Sequence, residues 1–188
     1  MIKQIAGEDR YVGITGFKNV EVKNTEELLR AVRTEKRANI QVQFFNAGLV
    51  ATWEHLYFAL LNALTAFRTK RNVSKSLAIE IMLYASAQRQ IRKAIELIGV
   101  KAGCRDVAVV AVGEKSGDVE ASISAASKLL DKEPNEDVLE LSTAKAFAIR
   151  KAFMITEEEL TVVTKGGDAE QALVDIVIER IALLSTKL

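Results

Sequence analysis

The alternation of apolar and polar positions divides the chain into a few short strands and a larger number of helices. Residues 11–17 are rich in β-branched and aromatic side chains around Gly13 and Gly16, which predicts a strand. From Ile40 to Phe45, Ile40, Val42 and Phe44 fall on one side and Gln41 and Gln43 on the other, as in a half-buried strand. The run Val107-Ala-Val-Val-Ala-Val112 is unbroken and of strand length, so residues 105–112 predict a buried strand.

The remaining pattern is helical. Asn24, with Glu27 three residues later, opens a helix that ends near Arg37 and buries Leu28, Leu29 and Val32. Over residues 52–67, Trp53, Leu56, Leu60, Ala63, Leu64 and Phe67 recur at helical spacing. Phe58, Ala59 and Leu61 widen that arc, which predicts a central helix. A helix over 77–85 follows, capped by Ser74 or Ser76, and breaks around Ser86-Ala87-Gln88. The next carries Ile91, Ala94, Ile95 and Ile98 and stops at Gly99, read as a left-handed helix end. Residues 117–131 form a helix with Val119, Ile123, Ala126 and Leu130 inward, and Pro134 marks a break in the acidic stretch 131–140. Three helical pieces close the chain: 142–153, then 156–163 with Thr156 and Glu159 as a capping box, then a last helix opened by Asp168 and running through Leu184. Three strands among about seven helices predict an α+β fold, a small mixed sheet packed by helices, as one domain over residues 1–188.

Composition sharpens this picture in three ways. With 188 residues and 49% hydrophobic content, the chain can fill one core but not two large domains. Asn62, Thr65, Glu80 and Gln88 interrupt the apolar helical segments before the roughly 18 to 20 residues of a membrane span are reached, so no membrane partner is expected. The opening MIKQIAGEDRYVG lacks the apolar stretch of a secretory leader, and a single cysteine, Cys104, cannot close an internal disulfide; both predict a cytoplasmic location.

Catalytic chemistry is sparse. His55 is the only histidine, which excludes paired-histidine and histidine-based metal sites. Gly13-Ile-Thr-Gly16 lacks the third glycine of a dinucleotide loop, and Gly113-Glu-Lys-Ser-Gly117 lacks the end of a phosphate-binding P-loop, so both read as turns. No catalytic residue, metal or cofactor is expected. The alternative is a small cytoplasmic enzyme using Cys104 or His55, against a plainer reading of His55 as a partly buried, hydrogen-bonded side chain and of Cys104 as a small half-buried residue at a strand entrance.

What stands out is charge. The net charge of +1 conceals a polarity: residues 1–112 hold 17 basic and 10 acidic side chains, net +7, and residues 113–188 hold 9 and 15, net −6. Between Glu54 and Glu96 a single acid, Glu80, faces Arg68, Lys70, Arg71, Lys75, Arg89, Arg92 and Lys93. A loop bearing Lys70, Arg71, Asn72 and Lys75 and leading into a serine-capped helix sets backbone N–H groups beside cations, an arrangement suited to phosphate. Arg89 and Arg92, three apart, share a helix face and extend the patch. On charge alone the plainer reading is a solvated loop.

The run Gln43-Phe-Phe-Asn-Ala47, the helix around His55-Leu56 and Ala59, Asn72-x-Ser74 and Glu80-Ile81-x-Leu83-Tyr84 together resemble the small KEOPS (EKC) subunit family, the CGI-type subunits that include the PRPK-binding protein. Arg89-Gln90-Ile91-x-x-Ala94-Ile95 with Gly99-Val100 carries the most weight. The similarity covers roughly residues 10 to 186, ending on Glu179-x-Ile181-Ala182-Leu183-Leu184. It implies a non-catalytic KEOPS subunit that binds and stimulates the atypical kinase/ATPase subunit and helps recruit tRNA through its 3′ CCA end for threonylcarbamoyl-adenosine modification. The acidic segment 113–140 is longer and more polar than a compact member of that family leads one to expect. Given that role, charge and capping make Lys70, Arg71, Asn72, Ser74, Lys75, Arg89 and Arg92 the candidate tRNA contacts. The apolar arc of the last helix exceeds one core-facing stripe, so Ile176, Val177, Leu183 and Leu184 are the candidate partner contacts, with burial in the core as the alternative.

Overall fold

Four strands form a single sheet in a computed structural model of the chain, which describes residues 2–22, 40–164 and 167–186. They are β1 (Ile2–Gln4), β2 (Tyr11–Phe17), β3 (Gln41–Asn46) and β4 (Val107–Gly113), in the order β1-β2-β4-β3. Seven α-helices lie among the described residues: α1 (Trp53–Arg68), α2 (Leu77–Ala85), α3 (Ile91–Ile98), α4 (Ser116–Leu130), α5 (Thr143–Phe153), α6 (Glu157–Thr164) and α7 (Ala169–Leu183). The α+β class is as expected, but every pairing is antiparallel, so the sheet is not mixed. Strand β1 is an addition to the expected three. Its residues Ile2, Lys3 and Gln4 are all exposed and leave no apolar signature. The helix expected over residues 24–37 falls outside the described residues.

The chain divides into two compact units, one from residues 1–47 and 100–139, the other from 48–99 and 140–188. In the first, β4 is central and buried throughout, which is why its sequence runs without polar interruption. Helix α4 covers one face of the sheet, where Phe17, Phe44, Val107, Val109 and Ala126 form a cluster. The partly buried Cys104 packs against that cluster, in keeping with the plainer of its two readings. Gly13 and Gly16 are not turn residues but lie inside β2. A Cβ at Gly13 would run into Ile123, and one at Gly16 into the Val138 side chain at 2.6 Å, so both glycines answer to close packing over the strand.

In the second unit, α1 packs against α2 and α7, and α7 also meets α5 and α6. The capping box of α6 forms in both directions: the Thr156 N–H donates to Glu159 Oε2 at 2.9 Å, and the Glu159 N–H to Thr156 Oγ1 at 3.2 Å. Glu159 also receives Arg180 from α7 at 2.9 Å, and Glu157 receives Arg150 from α5 at 2.6 Å, so the acidic first turn of α6 fastens both neighbouring helices. Asp168 caps α7 by accepting the Glu170 N–H at 2.8 Å. Gly99 follows α3 but is extended, with φ −67°, and is not left-handed. Its need for glycine is steric, since a Cβ there would sit 2.5 Å from the Ile95 carbonyl oxygen.

Candidate functional site

Helices α1 and α2 end in the same backbone motif. After α1, Lys70 takes the left-handed conformation (φ 58°), its N–H donating to Phe67 O and the Arg71 N–H reaching back to Ala66 O at 2.8 Å. After α2, Ala87 does the same (φ 51°), its N–H donating to Tyr84 O and the Gln88 N–H to Leu83 O. Both are Schellman ends built without glycine. Each reverses the chain at once and leaves an arginine just beyond the turn, Arg71 in one case and Arg89 in the other.

Those two arginines border one cavity of about 160 Å3. Its wall carries Asn62, Thr65 and Thr69 from α1 and the turn after it, Glu80 and Tyr84 from α2, and Gln88; Leu83, Leu184 and Val73 supply apolar surface. Asn62, Thr65 and Thr69 recur at i, i+3 and i+7 along α1 and the turn after it, so two of the residues that interrupt its hydrophobic run also belong to a polar stripe. Burial pushes the Tyr84 phenol above its ordinary range, the Glu80 charge adds to that shift, and Arg89 opposes it. Neither Arg71 nor Arg89 is held by a carboxylate among the described residues.

The sole acid of the basic stretch proves central. Glu80 is 2% exposed, and its carboxylate accepts the N–H groups of Val73 (3.1 Å to Oε2, 3.2 Å to Oε1) and Ser74 (2.7 Å to Oε2). The loop amides expected to be open to a phosphate are therefore taken at Val73 and Ser74. Ser76 stands at the N-cap position of α2 without a side-chain cap bond; Ser74 Oγ instead accepts the Ser76 N–H at 3.1 Å.

The structure sorts the sequence-predicted residues into three groups. Arg71 and Arg89 meet at the cavity. Lys70, Lys75 and Arg92 are exposed but do not line it, and Arg92 is engaged with Glu96 at 2.8 Å within α3. Asn72 and Ser74 are occupied inside the loop, Asn72 Nδ2 donating to Ser74 O and Ser74 being 8% exposed. On α7 and just after it, Ile176 and Val177 are buried among the helices of their own unit and Leu184 is buried with its side against the cavity, whereas Leu183 is 43% exposed. Other large apolar side chains left outside include Phe147 and Met154.

His55 is fully buried, and both ring nitrogens are committed. Nδ1 accepts the Ala51 N–H at 3.1 Å, which leaves the ring proton on Nε2 to donate to the Ala85 carbonyl at 2.7 Å. The ring also meets Phe153 edge-on at 5.8 Å. Burial lowers its pKa from 6.5 to about 4, the Ala85 bond opposing that shift and the Lys145 charge adding to it. At neutral pH it is an uncharged strut between the entry to α1 and the end of α2, with no ring position left for proton transfer. Among the described residues no group of three or more His, Cys, Asp or Glu side chains could hold a metal ion, and no helix is long and apolar enough to cross a membrane.

Comparison with known proteins adds what geometry alone does not. The family model described as kinase binding protein CGI-121 matches residues 17–185. The regulatory protein Cgi121 of Methanocaldococcus jannaschii is 32% identical over 148 residues, covering 79% of this chain and 86% of that protein. The family match takes in β3, β4, the arginine-bordered cavity and the terminal helix, and on it the chain belongs to the CGI-121 family of kinase binding proteins, the small-subunit family that its motifs resembled.

Proposed function

We propose that this chain is a non-catalytic, kinase-binding regulatory subunit of KEOPS type that also helps hold tRNA by its single-stranded 3′ CCA end. One observation carries the nucleic-acid part. Two arginines without carboxylate partners among the described residues converge, from separate turns, on one cavity whose wall is part polar and part apolar. An unpaired RNA end offers phosphates along a flexible backbone and bases free to enter a pocket, and proteins hold such ends with guanidinium groups outside and hydrogen-bonding side chains within. Arg71 and Arg89 suit the first task; Asn62, Tyr84 and Gln88 suit the second. Lys70 and Lys75, exposed on the same loop, extend the attraction to neighbouring phosphates. The kinase is assigned to a separate apolar surface, to which Leu183 contributes. The cytoplasm, where tRNA is modified, is the compartment this reading requires.

The test is retention of full-length and CCA-truncated tRNA by the unmodified chain and by the Arg71→Glu, Arg89→Glu double variant. We expect the double variant to bind full-length tRNA on the order of 100-fold more weakly, with a salt dependence shallower by about 0.7 for each phosphate it no longer neutralises. Binding to the kinase subunit should be unaffected. Equal retention of intact and truncated tRNA by the unmodified chain would sink the reading.

A further inference from the structure

We propose that Glu80 is the positioning residue for Arg71, fixing the loop so that this arginine faces the cavity opposite Arg89. The proposal rests on the reading of the cavity as an RNA site. A carboxylate that is 2% exposed must offset the loss of its hydration, and here it does so through backbone N–H groups and not through a cation. No arginine or lysine pairs with it among the described residues, although Arg71 and Arg89 border the same cavity. Had either guanidinium paired with Glu80, its charge would be neutralised within the protein. Because the carboxylate is committed to amides, both arginines stay open to an anionic ligand.

The geometry explains why the effect falls on Arg71. Upstream, the Arg71 N–H is tied to Ala66 O of α1; downstream, the amides of Val73 and Ser74 are tied to Glu80 of α2. Arg71 and Asn72 are thus held between two fixed points on different helices. An ordinary capping box reaches from the third helical residue back to the N-cap. Glu80 instead reaches from the fourth residue of α2 past Ser76 to the chain two and three residues before it, which organises the loop as well as the helix start. Arg89 does not depend on Glu80, since the turn before it is closed by backbone bonds and by Ser86 Oγ, which donates to Leu83 O, with His55 holding the Ala85 carbonyl.

The experiment is a pair of double-mutant cycles read by the affinity for an RNA oligonucleotide ending in CCA. In the unmodified chain, Arg71→Ala and Arg89→Ala should each weaken binding about tenfold; with Glu80→Ala already present, Arg71→Ala should add no more than about twofold while Arg89→Ala keeps its full effect. A residue serving only global stability would not discriminate between the two arginines. Equal Arg71→Ala losses in both backgrounds overturn the proposal and leave the RNA reading standing. No loss from either arginine in the unmodified chain overturns both. Should Glu80→Ala fail to fold, Glu80→Asp, whose carboxylate is one methylene short of the loop, takes its place in the cycles. Amide exchange in the unmodified protein gives an independent check: Val73 and Ser74 should be protected, although Val73 is 51% exposed, and exchange at the rate of an open loop overturns the proposal.

Discussion

The two turns that flank α2 begin alike and are secured by different means. Both open with a left-handed residue that is not glycine, Lys70 and Ala87, and both deliver an arginine to the same cavity. The loop before α2 runs on for several residues and is held by a side-chain carboxylate, Glu80. The turn after α2 leads into α3 almost at once, and the helix end it follows is held by His55, whose Nε2 donates to Ala85 O. The difference teaches that equivalent charges at one site can have unequal vulnerabilities. The first arginine depends on a carboxylate in its own loop, the second on the core of the helical unit.

The largest effect should come from the second support. Replacing His55 with alanine leaves the Ala51 N–H and the Ala85 carbonyl without partners in a buried position and opens a cavity beside Phe153. The expected cost is about 3 to 5 kcal/mol in denaturant unfolding. A loss under about 1 kcal/mol would mean that the ring is not the strut described.

The same histidine predicts a pH dependence of similar size. Its pKa is depressed from 6.5 to about 4, so between those values the unfolded chain binds a proton that the folded chain refuses. The contribution of neutral His55 is complete above pH 6.5 and is withdrawn as pH falls through the folded value of about 4. At about 1.4 kcal/mol per pH unit, that amounts to about 3 kcal/mol. Other carboxyl groups titrate in the same range, so the measurement is the difference in unfolding free energy between the unmodified chain and His55→Gln. That difference should narrow steadily as pH drops, and parallel curves would contradict the burial argument.

How much of the molecule is legible in its sequence follows the reach of the interactions involved. Strands β2, β3 and β4 and the capping box of α6 are legible because their signals, β-branched and aromatic enrichment, a two-residue alternation, an apolar run or a pair three residues apart, lie within one element. The polar side read into β3 is not there, however, Gln43 being 4% exposed. The backbone geometry of the helix ends is not legible, although the break at Ser86-Ala87-Gln88 is. Lys70, Ala87, Asp131 and Met154 all adopt the left-handed conformation in which glycine is expected, whereas Gly99, the residue that matches the rule, does not. In all four cases the two bonds back into the helix, such as Asp131 N–H to Lys128 O and Ile155 N–H to Arg150 O, set the geometry and override residue preference. Terminal helix α7 misleads for another reason. A wide apolar arc resembles a partner surface, but α7 is packed by α1, α5 and α6, and that surplus is what a helix covered on several sides requires. Arg71 and Arg89 stand out by charge alone, whereas the polar stripe of Asn62, Thr65 and Thr69 and the buried Glu80 become meaningful only once α1 and α2 are set side by side.

The smallest effect tests whether the two turns are the same motif. A non-glycine residue in the left-handed region carries a penalty of about 1 kcal/mol, which glycine avoids while losing more backbone entropy on folding. Lys70→Gly and Ala87→Gly should therefore each stabilise the chain by about 0.5 kcal/mol, read as a shift in denaturant midpoint at unchanged slope. Lys70→Gly also removes a charge and a long side chain, so its reference is Lys70→Ala, which keeps the strained backbone and should gain nothing. If Lys70→Gly exceeds Lys70→Ala by the same margin as Ala87→Gly exceeds the unmodified chain, the two turns share one backbone geometry. Whatever separates their arginines then lies in Glu80 and His55, and not in the turns themselves. Unequal margins would mean that the carboxylate clamp has altered the first turn, because the Schellman bonds by themselves give the two positions the same strain to relieve.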